Sequence, residues 1–145
     1  MRLWAGLPKR ILRVCWWIWQ RAKGAIIIVK TPVIYALSDS IGETAESVVK
    51  ATTSQFVQEK FDVIRVPYVK DASQVEKILE EAKESGAIVC YTIVSPELRE
   101  HIMQKAMELD VEVVDVLGPM LKAIEKTSGL LPKNQAGLIH ALDHE

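Results

Sequence analysis

The stretch of this sequence richest in groups that could do chemistry is SDSIGETAE, residues 38–46. It sets the hydroxyls of Ser38, Ser40 and Thr44 and the carboxylates of Asp39 and Glu43 around Gly42. Two readings share that spacing. As local structure, Ser40 followed three residues later by Glu43 is a capping box, and Asp39 favours a turn. As a ligand site, the free N–H groups of a starting helix attract an anion, and Gly42 lets it approach closely. The hydroxyls of Ser38, Ser40 and Thr44 would then add hydrogen bonds to a phosphate. Glu43 opposes a phosphate unless its carboxylate folds back onto the cap or meets a metal. Spacing alone does not separate these readings.

Other chemistry-bearing residues are more scattered. Ser73 and Glu76 have the spacing of a second capping box. His101 falls at a helical position off the apolar stripe, which places it at the surface. His140 and His144 share an i,i+4 face, yet no acidic or cysteine partner stands at a spacing that would complete a metal site. Cys90 lies within an apolar run and reads as core rather than nucleophile. There is no G-x-x-x-x-G-K-[ST] loop and no G-x-G-x-x-G, so no phosphate cradle of a known kind is written in the chain.

The elements that must position these groups follow from the pattern of apolar residues. Val33–Leu37 is a continuous apolar run suited to a buried strand. Ala45, Val48, Val49, Thr52 and Phe56 then fall on one helical face. Residues 63–69 read as a second strand, and Val75, Ile78, Leu79 and Ala82 as the stripe of a second helix closed by Gly86. Residues 87–94 form the longest apolar strand, expected at the centre of the sheet. Ser95-Pro96-Glu97 opens a third helix with an N-cap, a first-turn proline and an acid at the positive end of the dipole. Its stripe is Leu98, Ile102, Ala106 and Leu109. A fourth strand over 111–117 leads through Gly118-Pro119 to a short helix around Leu121 and Ile124. Strands alternating with helices predict an α/β, Rossmann-like three-layer domain with a parallel sheet of about four strands. In such sheets ligands bind beyond the carboxyl ends of the strands, which is where Ser38–Thr44 falls.

Composition bounds the rest. With 145 residues the chain has the length of one domain with a real core. Two distant cysteines give no disulfide framework, which suits reduced thiols in the cytoplasm. The net charge of −1 hides an asymmetry: residues 1–30 hold seven Lys or Arg, no acid and all four tryptophans. The remainder, by subtraction, carries eleven basic and nineteen acidic groups. We therefore divide the chain into a leader, 1–31, and a domain, 32–145. The leader's apolar stretches are too broken for the roughly 20-residue run of a membrane span, and it lacks a signal-peptide cleavage site. It is expected to be translated sequence outside the working domain. A basic, Trp-rich helix on an anionic membrane surface is the alternative.

VIYALSDSIGETAESVVKATTSQF, residues 33–56, resembles the opening of the pyruvate, phosphate dikinase and phosphoenolpyruvate synthase regulatory protein family. The similarity continues through IRVPYVKD (64–71), IVCYTIVSPELRE (88–100), VVDVLGPMLKAIEK (113–126) and GLIHALDHE (137–145). The resemblance implies a bifunctional enzyme. It would phosphorylate a threonine of the dikinase or synthase with ADP as donor, inactivating the target, and restore it by phosphorolysis with inorganic phosphate. The family's nucleotide-binding P-loop belongs to a C-terminal half without counterpart here, so this chain is expected to be inactive alone. Asp39 and Glu43 are the candidate catalytic groups, and Ser38, Ser40, Gly42 and Thr44 the candidate anion-binding ones. The implied partners are the target enzyme and the absent half, with neither nucleic acid nor membrane indicated and the oligomeric state left open. The rival is a non-catalytic Rossmann-like module binding a small anion or a protein.

Overall fold

A computed structural model describes residues 30–56 and 60–142. The basic leader falls almost wholly outside them, as do Cys15 and His144. Within them the chain runs β1 (Val33–Ser38), α1 (Glu43–Thr53), β2 (Asp62–Val66), α2 (Ala72–Ser85) and β3 (Ile88–Thr92). It continues through α3 (Pro96–Leu109), β4 (Val113–Asp115), α4 (Gly118–Ser128) and α5 (Leu138–Leu142). The four strands form one parallel sheet in the order β2-β1-β3-β4. Helices lie on both of its faces, the three-layer α/β arrangement expected from alternating strands and helices.

Register explains which residues reach which face. Ile34 pairs with Ile88 and Ser38 with Thr92 along β1 and β3. Side chains alternate across a strand, so Tyr35, Leu37, Val89 and Tyr91 share one face and Ile34, Ala36 and Cys90 the other. The first set meets Val75, Ile78, Leu79 and Ala82 of α2 and Leu98, Ile102 and Ala106 of α3. The second meets Ala45 and Val49 of α1. Both inner strands are therefore apolar on both sides, as strands of a covered parallel sheet must be. β3 is one of those inner strands, and Cys90 is core: burial raises its thiol pKa.

Several elements are shorter than the apolar runs suggest. β2 ends at Val66 because Pro67 has no N–H to give the ladder. The next residue, Tyr68, takes a left-handed φ of 57°. Its N–H and that of Val69 turn away to the carbonyls of Ser40 and Ser38, each at 2.9 Å. α1 stops at Thr53, where Thr52, Thr53 and Ser54 return their hydroxyls to the carbonyls of Val48, Lys50 and Ala51. Thr52 and Phe56 are consequently exposed rather than part of the α1 core stripe. Phe56 instead meets Phe61 edge-on at 6.1 Å. β4 spans three residues because Asp115 turns its carboxylate to the Gly118 N–H at 2.8 Å.

Candidate functional site

The strand order reverses direction at β1. The chain leaves β1 for β2 on one side, while β3 lies on the other. Crevices at such points, beyond the carboxyl ends of the strands, are where open α/β sheets take ligands. Asp39 stands at this point. Its Oδ2 accepts a hydrogen bond from the Val94 N–H at 2.8 Å, joining the loop after β1 to the loop after β3. That bond holds one carboxylate oxygen and fixes the side chain at the mouth of the crevice.

The hydroxyls divide by role. Ser38 is buried, and its Oγ accepts from the Ser40 N–H at 3.1 Å, so it shapes the turn. Ser40 is half-buried, and the C-terminal segment approaches it: a Cβ at Gly137 would lie 3.4 Å from its Oγ. Thr44 and Glu43 are exposed on the first turn of α1. The capping box expected of Ser40 and Glu43 is not formed. Gly42 is the N-cap, with φ 86°, and no side chain caps the helix. Glycine adopts that left-handed backbone without the steric cost a Cβ would add. The first-turn N–H groups of α1 thus stay free of a side-chain cap, the feature an anion site needs.

A cation missing from the sequence reading completes the turn. Arg65, on β2, reaches across so that a Cβ on Gly42 would meet its Nε at 3.0 Å. Its Nε donates to the Ile41 carbonyl at 2.7 Å, its Nη2 donates to the same oxygen, and its Nη1 donates to Glu46 at 3.1 Å. Glu46 also pairs with Lys50 at 2.8 Å, and the Lys50 hydrogen bond is the largest cause holding its carboxyl below the usual range. Register gives the signal that could have found Arg65: Ala36 pairs with it across the sheet, two residues before Ser38.

A cleft of about 640 Å³ opens at the same edge, between the starts of α2 and α3. Asp39, Lys70, Ser95, Glu97, His101 and Asn134 contribute to its walls. The second capping box lies two residues earlier than expected. Asp71 caps α2 by accepting from the Gln74 N–H at 2.9 Å, and Gln74 accepts from the Lys70 N–H at 2.8 Å. Glu76, released from capping, meets His101 at 3.0 Å. His101 is therefore a half-buried wall of the cleft, not a solvated surface residue. Ser95 caps α3 as expected, accepting from Leu98 N–H at 3.2 Å. Its hydroxyl donates to Glu97 at 2.9 Å; together with the Glu97 backbone N–H, the larger cause, this lowers that carboxyl's pKa.

A second polar group sits past the ends of β3 and β4. Asp115 faces Arg99 at 3.8 Å, and a Cβ on Gly118 would overlap both side chains. Tyr91 is fully buried beside them without a hydrogen-bond partner for its hydroxyl. Burial, and secondarily the Asp115 charge, push its pKa up to about 12. Among the described residues no cluster of three metal-ligating side chains occurs, and His140 stands in α5 apart from any such group. No helix among them is long and apolar enough to cross a membrane.

Comparison with known proteins matches residues 34–145 to a family described as kinase/pyrophosphorylase. A pyruvate, phosphate dikinase regulatory protein of Carboxydothermus hydrogenoformans is 47% identical over 112 residues, covering 77% of this chain and 40% of that protein. A protein of the same description from Oceanobacillus iheyensis is 46% identical over 114 residues, covering 79% and 42%. One from Halalkalibacterium halodurans is 43% identical over 114 residues, again covering 79% and 42%. The chain thus spans about two fifths of the length of these relatives.

Proposed function

This chain belongs to the kinase/pyrophosphorylase family, and from that premise we propose that it is part of a regulatory serine/threonine phosphotransferase acting on pyruvate, phosphate dikinase or phosphoenolpyruvate synthase. The whole protein would inactivate its target by ADP-dependent phosphorylation and reactivate it by phosphate-dependent dephosphorylation in the cytoplasm. The observation that carries this reading is the match across residues 34–145, reinforced by relatives at 43–47% identity that are named for the dikinase.

The part played by these residues is binding rather than transfer. Phosphoryl transfer needs donors and cations packed around the migrating group. A P-loop supplies backbone N–H groups, a lysine and a metal-binding hydroxyl together, and the sequence here contains none. ADP and inorganic phosphate would therefore react on another part of the whole protein. The uncapped start of α1, with Ser40, Gly42 and Thr44, would hold a phosphate or a phosphorylated group of the target. Ser38 would keep the turn in shape. Asp39, tied to Val94 at the crevice mouth, has a second oxygen available to orient an incoming hydroxyl, and Glu43 stands exposed one turn away.

Amide chemical shifts during titration with inorganic phosphate test this assignment. Ser40, Ile41, Gly42, Glu43 and Thr44 should move first and saturate together. If these amides stay still at high millimolar phosphate, the turn is only a helix start. The second reading is a non-catalytic Rossmann-like module binding a small anion or a protein partner. It draws on groups already engaged within the turn: Arg65 donates to Ile41 and Glu46, and Ser38 accepts from Ser40.

A further inference from the structure

β2 and β4 are the two edge strands of the sheet, and exposed apolar side chains gather beside β4. β4 pairs with β3 along one edge, and no described strand lies on its other edge. Val114, on the face that carries α1, is 46% exposed. On the opposite face, α3 points Arg99 toward Asp115 of β4. Met103 and Met107 follow Arg99 at successive four-residue steps, so they continue that row along the flank of α3 that looks past β4. They are 45% and 77% exposed. The other flank of α3 is occupied, since His101 meets Glu76 of α2 there. α4 begins beside the Arg99–Asp115 pair yet leaves the methionines uncovered, and its own Met120 and Ile124 are exposed too.

Purely parallel sheets are covered on both faces, and a free edge is a template for another strand. The β3-α3-β4 crossover lies on the α2/α3 face. A unit continuing the same winding would lay its helix on that face, against Met103 and Met107. The relatives supply material for such a unit, because 58–60% of their length lies beyond the 40–42% that this chain spans. We propose that a strand-and-helix unit from that remaining length docks here. Its strand would join the free edge of β4 in parallel, and its helix would cover Met103 and Met107. A second copy of this chain fits less well. Two-fold symmetry would set β4 against β4 antiparallel, with three residues on each side.

This inference rests on family membership and not on phosphate binding or transfer, and its test uses neither ADP nor a target. The remaining length of the Carboxydothermus hydrogenoformans relative is joined in frame after Glu145, and also supplied as a separate polypeptide. Oxidation of Met103 and Met107 by dilute peroxide is followed by peptide mass spectrometry, since methionine oxidation tracks exposure. Both residues should oxidise readily in the 145-residue chain and about tenfold or more slowly once the remainder is present. Met107→Asp should leave the isolated chain's melting temperature unchanged but lower that of the joined protein. Unchanged oxidation in both formats, with Met107→Asp neutral in the joined protein, overturns the proposal. So does a dimer of the 145-residue chain, seen by sedimentation, that Met107→Asp dissociates, because a second copy would then be the occupant.

Discussion

The β1–β3 centre and the β4 flank are built from the same kinds of residue but finished differently. At the centre, Ala36, Leu37, Val89 and Tyr91 are buried, helices cover both faces, and Asp39 joins the ends of the two strands through Val94. At the flank, a three-residue strand leaves Val114 exposed, and α3 shows its methionines to solvent. One helix, α3, takes part in both. Its Leu98, Ile102 and Ala106 are core, while Met103 and Met107 are not. The contrast teaches that apolar residues in one helix can carry two messages: one set closes the domain, and the other lies open to a docking unit of the kind proposed above.

The largest effect should come from testing that helix against itself. Ile102→Ala removes a fully buried side chain and should cost about 2–5 kcal/mol. Met107→Ala, little more than a turn away, should stay within about 0.5 kcal/mol in the isolated chain. Urea midpoints of the two variants measure the difference. Equal losses would mean that the flank is already packed and the contrast false.

A smaller effect tests the stitch at the crevice. Asp39→Ala leaves the Val94 N–H without its acceptor and should cost about 1–3 kcal/mol. Asp39→Asn keeps an acceptor oxygen and should cost less. Hydrogen exchange at the Val94 amide reads the bond directly, and should accelerate in the alanine variant alone.

The smallest effect concerns Tyr91, where the centre meets the flank. Its hydroxyl has no partner, so Tyr91→Phe should be neutral or slightly stabilising near neutral pH. The phenol's pKa is raised in the folded protein to about 12. The protonated form therefore stabilises the fold fully below the ordinary phenol value, and that contribution is lost as pH climbs through the raised one. Between about pH 8 and about pH 11, Tyr91→Phe should lose less stability than the parent chain. A clear loss at neutral pH would show that the hydroxyl is bonded after all.

Much of this was readable in the sequence, and the exceptions share a cause. Val75, Ile78, Leu79 and Ala82, like Leu98, Ile102 and Ala106, announced their helices because an apolar stripe is a local pattern. Ser95-Pro96 announced a helix start for the same reason. Capping-box spacing points to Ser40 as the cap of α1, but Ser38 draws the Ser40 N–H into the turn and Gly42 begins the helix. Ser73 and Glu76 have the spacing of a capping box, yet Asp71, closer to the end of β2, is the residue that caps α2. Arg65 and the Glu76–His101 contact depend on pairing between distant segments, which periodicity along one chain does not reveal. The position of Asp39 at the switch point likewise needed the strand order.

In the proposed division of roles, these residues bind for a phosphoryl transfer carried out elsewhere in the whole protein. The most direct test incubates the purified chain with labelled ADP and dikinase in its phosphohistidine form, then measures label on the target threonine. The chain alone should leave the threonine unlabelled, and the chain joined to the remaining length of a relative should label it. Robust labelling by the 145-residue chain alone would contradict this and place the chemistry within these residues.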